Sequence, residues 1–174
     1  VNIFFLSSNT DECAQWHIDK HVTKMSIEYP QLLSTAHRIL DGTSHTITTP
    51  RKKTVWMLQD DRETVLYKAT HANHPSCVWV RQSDANYVWL LRLWKSLLTE
   101  YTYRYGKIHG CAKLLPALSQ APRSIASMPF TEPPPAMPDA CKRSTVTASY
   151  REYYRTHKRA FASWKRREVP VFML

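Results

Sequence analysis

The sequence predicts a mainly α fold: a single compact helical domain with an extended N-terminal arm and a long Pro-rich loop. Three observations lead there. Only three glycines stand among 174 residues, beside six Trp and nine Tyr, which describes aromatic-packed helices with few tight turns. Two long stretches, Asn9 to Leu40 and Ser83 to Gly106, repeat apolar residues at i, i+3, i+4 and i+7. Between Leu115 and Cys141 prolines are too dense for a helix, over a span too long for an ordinary connection.

Taken in order, Val1 to Leu6 is an apolar run, a strand or an extended arm tied to the core. Asn9 with Glu12 three residues on is a capping-box start for the first helix, and Asp11 and Glu12 suit its first turn. Ile18, Val22, Met25, Tyr29, Leu32, Leu33, Ala36 and Leu40 then line one face, with Pro30 expected to kink or split the helix. Asp41 to Lys53 is polar and Thr-rich and reads as a loop ending in the basic cluster Arg51, Lys52 and Lys53. Thr54 to Tyr67 has an acidic middle that suits an exposed turn or a short helix. Pro75 fits the first turn of a new helix behind His71, Asn73 and His74.

Ser83 to Gly106 is the clearest helix, with Tyr87, Leu90, Leu91, Trp94, Leu97, Leu98, Tyr101 and Tyr105 on its core face and Gly106 ending it. The Pro-rich loop carries interleaved Leu, Met and Phe and is expected to lie extended across the core. Thr145 to Arg167 reads as a last helix. Val146, Tyr150, Tyr153, His157, Phe161 and Trp164 face inward in it, and a cationic flank includes Arg151, Arg155, Lys158 and Arg159.

A net charge of +10 predicts an acidic partner, most simply nucleic acid, double-stranded DNA being the expected form, with an anionic membrane surface as the rival. No apolar run approaches the ~20 residues of a spanning helix and no signal peptide precedes the first polar residues, so a cytoplasmic protein that does not enter membranes is expected. Cys13, Cys77, Cys111 and Cys141 lack the spacing of a zinc knuckle or a disulfide framework and predict unpaired, partly buried thiols, with no metal or cofactor.

Beside the core face of the first helix runs a second stripe: His17, His21, Lys24, Glu28, Gln31 and Thr35, at steps of three or four. Two imidazoles, an amine and a carboxylate are the groups that exchange protons or act as nucleophiles near neutral pH. The cations around Lys24 favour its neutral, nucleophilic form, while Glu28 opposes it. Lys20 points farther toward solvent and is expected to matter less. The plain alternative is a solvated flank with an i,i+4 pair of Lys24 and Glu28. A second candidate region is the helix start at Asn73 and His74 with Arg81 behind it, an anion pocket or merely a cap. Arg155, Lys158 and Arg159 complete the expected nucleic-acid contacts.

In the order of these pieces the chain resembles the phage pyrimidine-dimer DNA glycosylase/AP lyases of the endonuclease V type. An early helix there carries a motif like A-x-x-H-x-x-x-x-x-R-E-L, matched by AQWHIDKHVTKM from Ala14 to Met25. A long central helix and an aromatic–basic C-terminal segment, YREYYRTHKRAFASWKRREVP, are similar too. The chain also resembles small phage-encoded proteins sharing H-x-x-D-K-H-V-x-K-M and Q-L-L-S-T-A-H-R, here His17 to Met25 and Gln31 to Arg38, which implies the cytoplasm of an infected bacterium. The first resemblance implies an amine nucleophile and a carboxylate acid–base. The catalytic Glu of that family falls at Lys24, so the acid would come from Glu28. Its nucleophile is an N-terminal amine, whose role Lys24 could take.

Four functions follow. In a glycosylase/lyase, an amine (Lys24 or the N-terminus) attacks C1′ of a flipped nucleotide, and Glu28, His17 or His21 moves protons. A base-modifying transferase would use the same stripe on an altered base. A metal-dependent nuclease would use His17 and His21 with Asp19 or His74, but Asp19 lies on another face and Lys20 and Lys24 repel a metal. A non-catalytic DNA-binding or host-inhibitory protein would use the stripe only for packing.

Overall fold

The computed structural model describes residues 1–48 and 50–174. Helix accounts for 54% of the chain, beside one small two-stranded sheet, so the class is mainly α. The N-terminal arm is extended rather than a strand. Ile3, Phe4, Phe5 and Leu6 are buried. Its backbone is held by side chains: the Phe4 N–H donates to Tyr29 Oη at 3.2 Å, and Arg151 Nε donates to the Leu6 carbonyl at 3.0 Å.

The first predicted helix is two helices, α1 (Thr10–Trp16) and α2 (Asp19–Asp41). Asn9 caps α1 as expected, accepting from the Asp11 and Glu12 N–H groups, each at 3.0 Å. Glu12 does not close the box directly. Its carboxylate accepts from the Ser7 hydroxyl at 2.5 Å, and Ser7 in turn accepts from the Asn9 N–H.

The break falls at His17 and Ile18, not at Pro30, and distant side chains make it possible. A helix end leaves carbonyls without donors. Arg104 donates to the Gln15 carbonyl at 2.8 Å and the His17 carbonyl at 2.9 Å, and Trp164 Nε1 donates to the Trp16 carbonyl at 2.9 Å. Asp19 then opens α2 and accepts from Arg104, from the Ser163 hydroxyl and from the Lys165 N–H. Pro30 stays inside α2, where its missing N–H costs one helix bond, to the Ser26 carbonyl. Trp94 Nε1 supplies the replacement donor at 3.0 Å.

Gly42 ends α2, and a Cβ there would stand 2.4 Å from the Arg38 carbonyl oxygen and 2.9 Å from that of Met57, so only glycine lets the chain turn back so closely. The stretch read as a loop instead forms an antiparallel hairpin, β1 (Thr43–Ile47) with β2 (Lys53–Met57), Thr43 opposite Met57. Buried Arg38 anchors its base: the guanidinium donates to the carbonyls of Trp56, Glu63, Leu66 and Tyr67 and meets the Glu63 carboxylate at 2.5 Å. Glu63 belongs to the short α3 (Arg62–Val65).

After α4 (Pro75–Val80), the long α5 (Asp84–Tyr105) packs along both α1 and α2. Ser83 caps it, and Gly106 ends it with φ 69° in the left-handed region. Tyr101 and Tyr105, expected in the core, are only partly buried, whereas Glu100 and Arg104 are buried and paired at 2.7 Å.

Beyond the short α6 (Leu115–Leu118), the Pro-rich segment runs as an extended strap across the core. Thr131 is its clasp, taking Trp79 Nε1 on its oxygens and giving its N–H to Asn86 Oδ1. The last helix is shorter than predicted: α7 (Val146–Tyr153), one π turn over Tyr154–Lys158 and one 3-10 turn over Arg159–Phe161. That change of winding puts Tyr154, not Tyr153, in the core, and leaves His157 and Phe161 exposed. Among the described residues no helix is long and apolar enough to cross a membrane.

Candidate functional site

His17 and His21 sit where the α1–α2 break, the arm and the π turn meet. His17 is fully buried, with Nδ1 2.7 Å from the Cys13 carbonyl and Nε2 3.1 Å from Tyr29 Oη. A carbonyl only accepts, so Nδ1 carries the proton and Nε2 accepts from Tyr29. His21 is 4% exposed; its ring stacks on Phe4 at 4.1 Å, and Nδ1 lies 2.7 Å from Tyr154 Oη. When the phenol gives its proton to Nδ1, the ring hydrogen sits on Nε2.

Neither ring titrates near neutrality, contrary to what residue type suggested. Burial lowers His17 to about 4 and His21 to about 2, the latter helped by the positive charges of Lys158, Lys24 and Lys20. Both are therefore neutral hydrogen-bonding groups.

Above His21 the surface is cationic and aromatic. Lys20 Nζ stands 4.7 Å from the centre of the Phe161 ring, and Lys158 Nζ 5.9 Å from the same centre and 4.6 Å from that of Tyr153. Phe161 is 42% exposed. Among the described residues neither Lys20 nor Lys158 has an acidic partner. Lys20 was expected to be peripheral, yet the shared ring makes it part of this surface. Lys24, expected to be a held and partly desolvated amine, is exposed and pairs with Glu28 at 3.3 Å. The predicted stripe thus divides: His17, at the break before α2, goes inward with His21 and Thr35 of α2, Lys24 goes outward, and Glu28 and Gln31 lie between.

The second region is built as a cap. His74 Nδ1 accepts from the Ser76 N–H at 3.2 Å, and burial lowers the ring's pKa. Arg81 donates to the carbonyls of Ala72 and Cys77, so its charge serves the backbone rather than a ligand. Asn73 is exposed. Of the C-terminal cations, Arg155 pairs with Glu152 and Arg159 donates to the Met173 carbonyl at 3.1 Å, which leaves Lys158 facing the aromatic surface. Among the described residues no group of three or more His, Cys, Asp and Glu could hold a metal. Asp19 is occupied by Arg104, Ser163 and Lys165, and both His17 nitrogens are engaged.

Sequence reasoning missed Tyr29, Tyr154 and Phe4 as partners of the histidines. Tyr29 lies twelve residues from His17 and on the far side of the α1–α2 break, so the helical period that the sequence suggested gave no sign of the contact. Tyr154 lies 133 residues from His21, and no local pattern reveals it. Compared with family models, with curated proteins and with solved structures, the chain matches none.

Proposed function

We propose that the protein binds double-stranded DNA through the face formed by Lys20, Lys24, Lys158, Tyr153 and Phe161. The observation that carries this reading is the exposed Phe161 ring bordered by Lys20 and Lys158, two ammoniums with no acidic partner among the described residues. Lysines neutralise phosphates, and an exposed ring between them offers a surface for a base drawn out of the stack. The net charge of +10 adds long-range attraction. Fluorescence anisotropy with a labelled duplex tests it. Wild type should bind at low salt, and the pair Lys20→Glu with Lys158→Glu should lose at least tenfold in affinity, roughly the effect of 1.4 kcal/mol. Unchanged binding by the double variant would place the DNA elsewhere.

A second reading keeps the enzyme of glycosylase/AP-lyase type, and one contact favours it: Lys24 and Glu28, an amine and a carboxylate 3.3 Å apart, border the same face. In this reading Glu28 takes a proton from Lys24. The freed amine attacks C1′ of a flipped nucleotide, the bond to the base breaks, and the base leaves with the proton held by Glu28; the C1′–O4′ bond then breaks, O4′ takes a proton from the nitrogen, and C1′=N forms. The resulting imine would be trapped by borohydride, and absence of any adduct on abasic or modified duplexes would remove this reading while leaving DNA binding intact.

A further inference from the structure

We propose that His21 is the floor of a phosphate site, giving its Nε2–H to a phosphoryl oxygen while Lys20, Lys24 and Lys158 balance the charge. The inference rests on the DNA-binding reading in that the phosphoryl group would be one of the backbone phosphates.

Three features build the site. First, the His21 ring is fixed on every side but one. Phe4 stacks on its face, Tyr154 holds Nδ1, and helix α2 carries its Cα. Second, Nε2 is the polar atom left over. Among the described residues it has no protein partner, and it is not sealed from solvent as the unpartnered hydroxyls of Ser34 and Ser76 are. With the rest of the side chain 96% removed from water, Nε2 is the polar atom through which the ring can bond a ligand oxygen. A proton given by Tyr154 to Nδ1 leaves Nε2 as the donor, and that is the tautomer the site requires. A hydrogen-bond donor is what an anion needs, and a metal or a cationic ligand would need the opposite tautomer.

Third, the surroundings are positive. Lys158, Lys24 and Lys20, besides His17, bring positive charge to bear on His21, and His21 lies in the first turn of a 23-residue helix, where the helix dipole is also positive. The two carboxylates that share the N-terminal half of α2 with His21 are already used. Asp19 is bound to Arg104, Ser163 and Lys165, and Glu28 pairs with Lys24. The chemistry that fits is a phosphoryl group, either in a nucleic-acid backbone or on a small molecule.

The test uses the full chain labelled with 15N, following the His21 ring by long-range 1H–15N correlation. Inorganic phosphate is titrated in one arm and a short duplex in another, with Lys20→Met and Lys158→Met as surface variants that leave the buried ring in place. The free protein should show Nε2 protonated and Nδ1 not. Nε2 should move with both probes, and each variant should weaken the phosphate response by about tenfold. A response to phosphate without duplex binding would support the site with a small phosphorylated ligand and overturn the DNA reading. Duplex binding weakened by the lysine variants with Nε2 unmoved would support the DNA reading and overturn the phosphate site. No response to either probe would overturn both.

Discussion

The indole N–H of Trp94 donates at 3.0 Å to the Ser26 carbonyl, the oxygen that Pro30 deprives of its helix partner. A residue on α5 thus repairs a defect in α2, and the two helices are fixed in register by that repair. Replacing Trp94 with Phe leaves the carbonyl buried and unpaired, a cost of about 1–3 kcal/mol besides the lost packing. Pro30→Ala restores the backbone donor. The predicted outcome of a double-mutant cycle in urea is therefore a smaller loss for Trp94→Phe in the Pro30→Ala background. Equal losses in both backgrounds would mean that the indole bond is incidental.

Arg104 closes the α1–α2 break and lies fully buried between Glu100 and Asp19. Removing it leaves the Gln15 and His17 carbonyls and two carboxylates short of donors. Arg104→Ala should cost about 3–5 kcal/mol, as breaking buried ion pairs does, and Arg104→Lys should rescue only part of it because one ammonium cannot span the same acceptors. Chemical denaturation measures both.

Acid should unfold the protein through its histidines. Burial lowers His17 and His37 to about 4 and His21 to about 2, below the ordinary 6.5 that they regain on unfolding. Between those values the unfolded chain binds more protons than the folded one. Stability is therefore fully present above pH 6.5 and falls as pH drops toward 4, with His21 extending the loss toward 2. His37 accepts from Arg62 at Nδ1 and touches Tyr87 Oη at Nε2, so its neutral form is the one the fold uses. Urea midpoints from pH 7 to 4 should fall steadily, and His37→Gln should flatten the slope. A midpoint constant over that range would contradict the buried neutral rings.

Lys24 and Glu28 separate binding from chemistry. If an imine forms, Lys24→Ala and Glu28→Gln should each abolish borohydride trapping on abasic duplex. Glu28→Gln should not weaken DNA affinity, and Lys24→Ala should cost at most a few-fold. The exposure of Lys24 makes a stability change beyond ~0.5 kcal/mol unexpected for its variant. An adduct surviving in Lys24→Ala and lost on blocking the N-terminal amine would move the nucleophile to the terminus.

What the sequence disclosed followed the range of the forces involved. Helix α5 was readable because its period, its Ser83 cap and its Gly106 stop are all local. The extended arm and the strap were readable from apolar and proline content. The break at His17 was not, since Arg104 and Trp164 make it from far along the chain. The hairpin was hidden by its polar threonines, although Thr43, Thr46, Ile47, Thr54 and Val55 are β-branched runs on either side of Pro50, a signal that was present. The stripe of α2 was found as residues but misjudged in burial. Histidine is scored as polar, yet two partners, Tyr29 and Tyr154, let both rings go inside. The π turn rotated Phe161 outward beside Lys20, a surface that an unbroken α period had placed in the core.

The salt dependence of duplex binding tests the central claim most directly. With Lys20, Lys24 and Lys158 each neutralising a phosphate, the plot of log affinity against log salt should be linear, with a slope contribution of roughly −0.9 per contact. Lys158→Met should make that slope shallower by about one unit while the protein stays folded. Affinity independent of salt, or a slope unchanged by Lys20→Met, Lys24→Met and Lys158→Met alike, would contradict a nucleic-acid interface on this face.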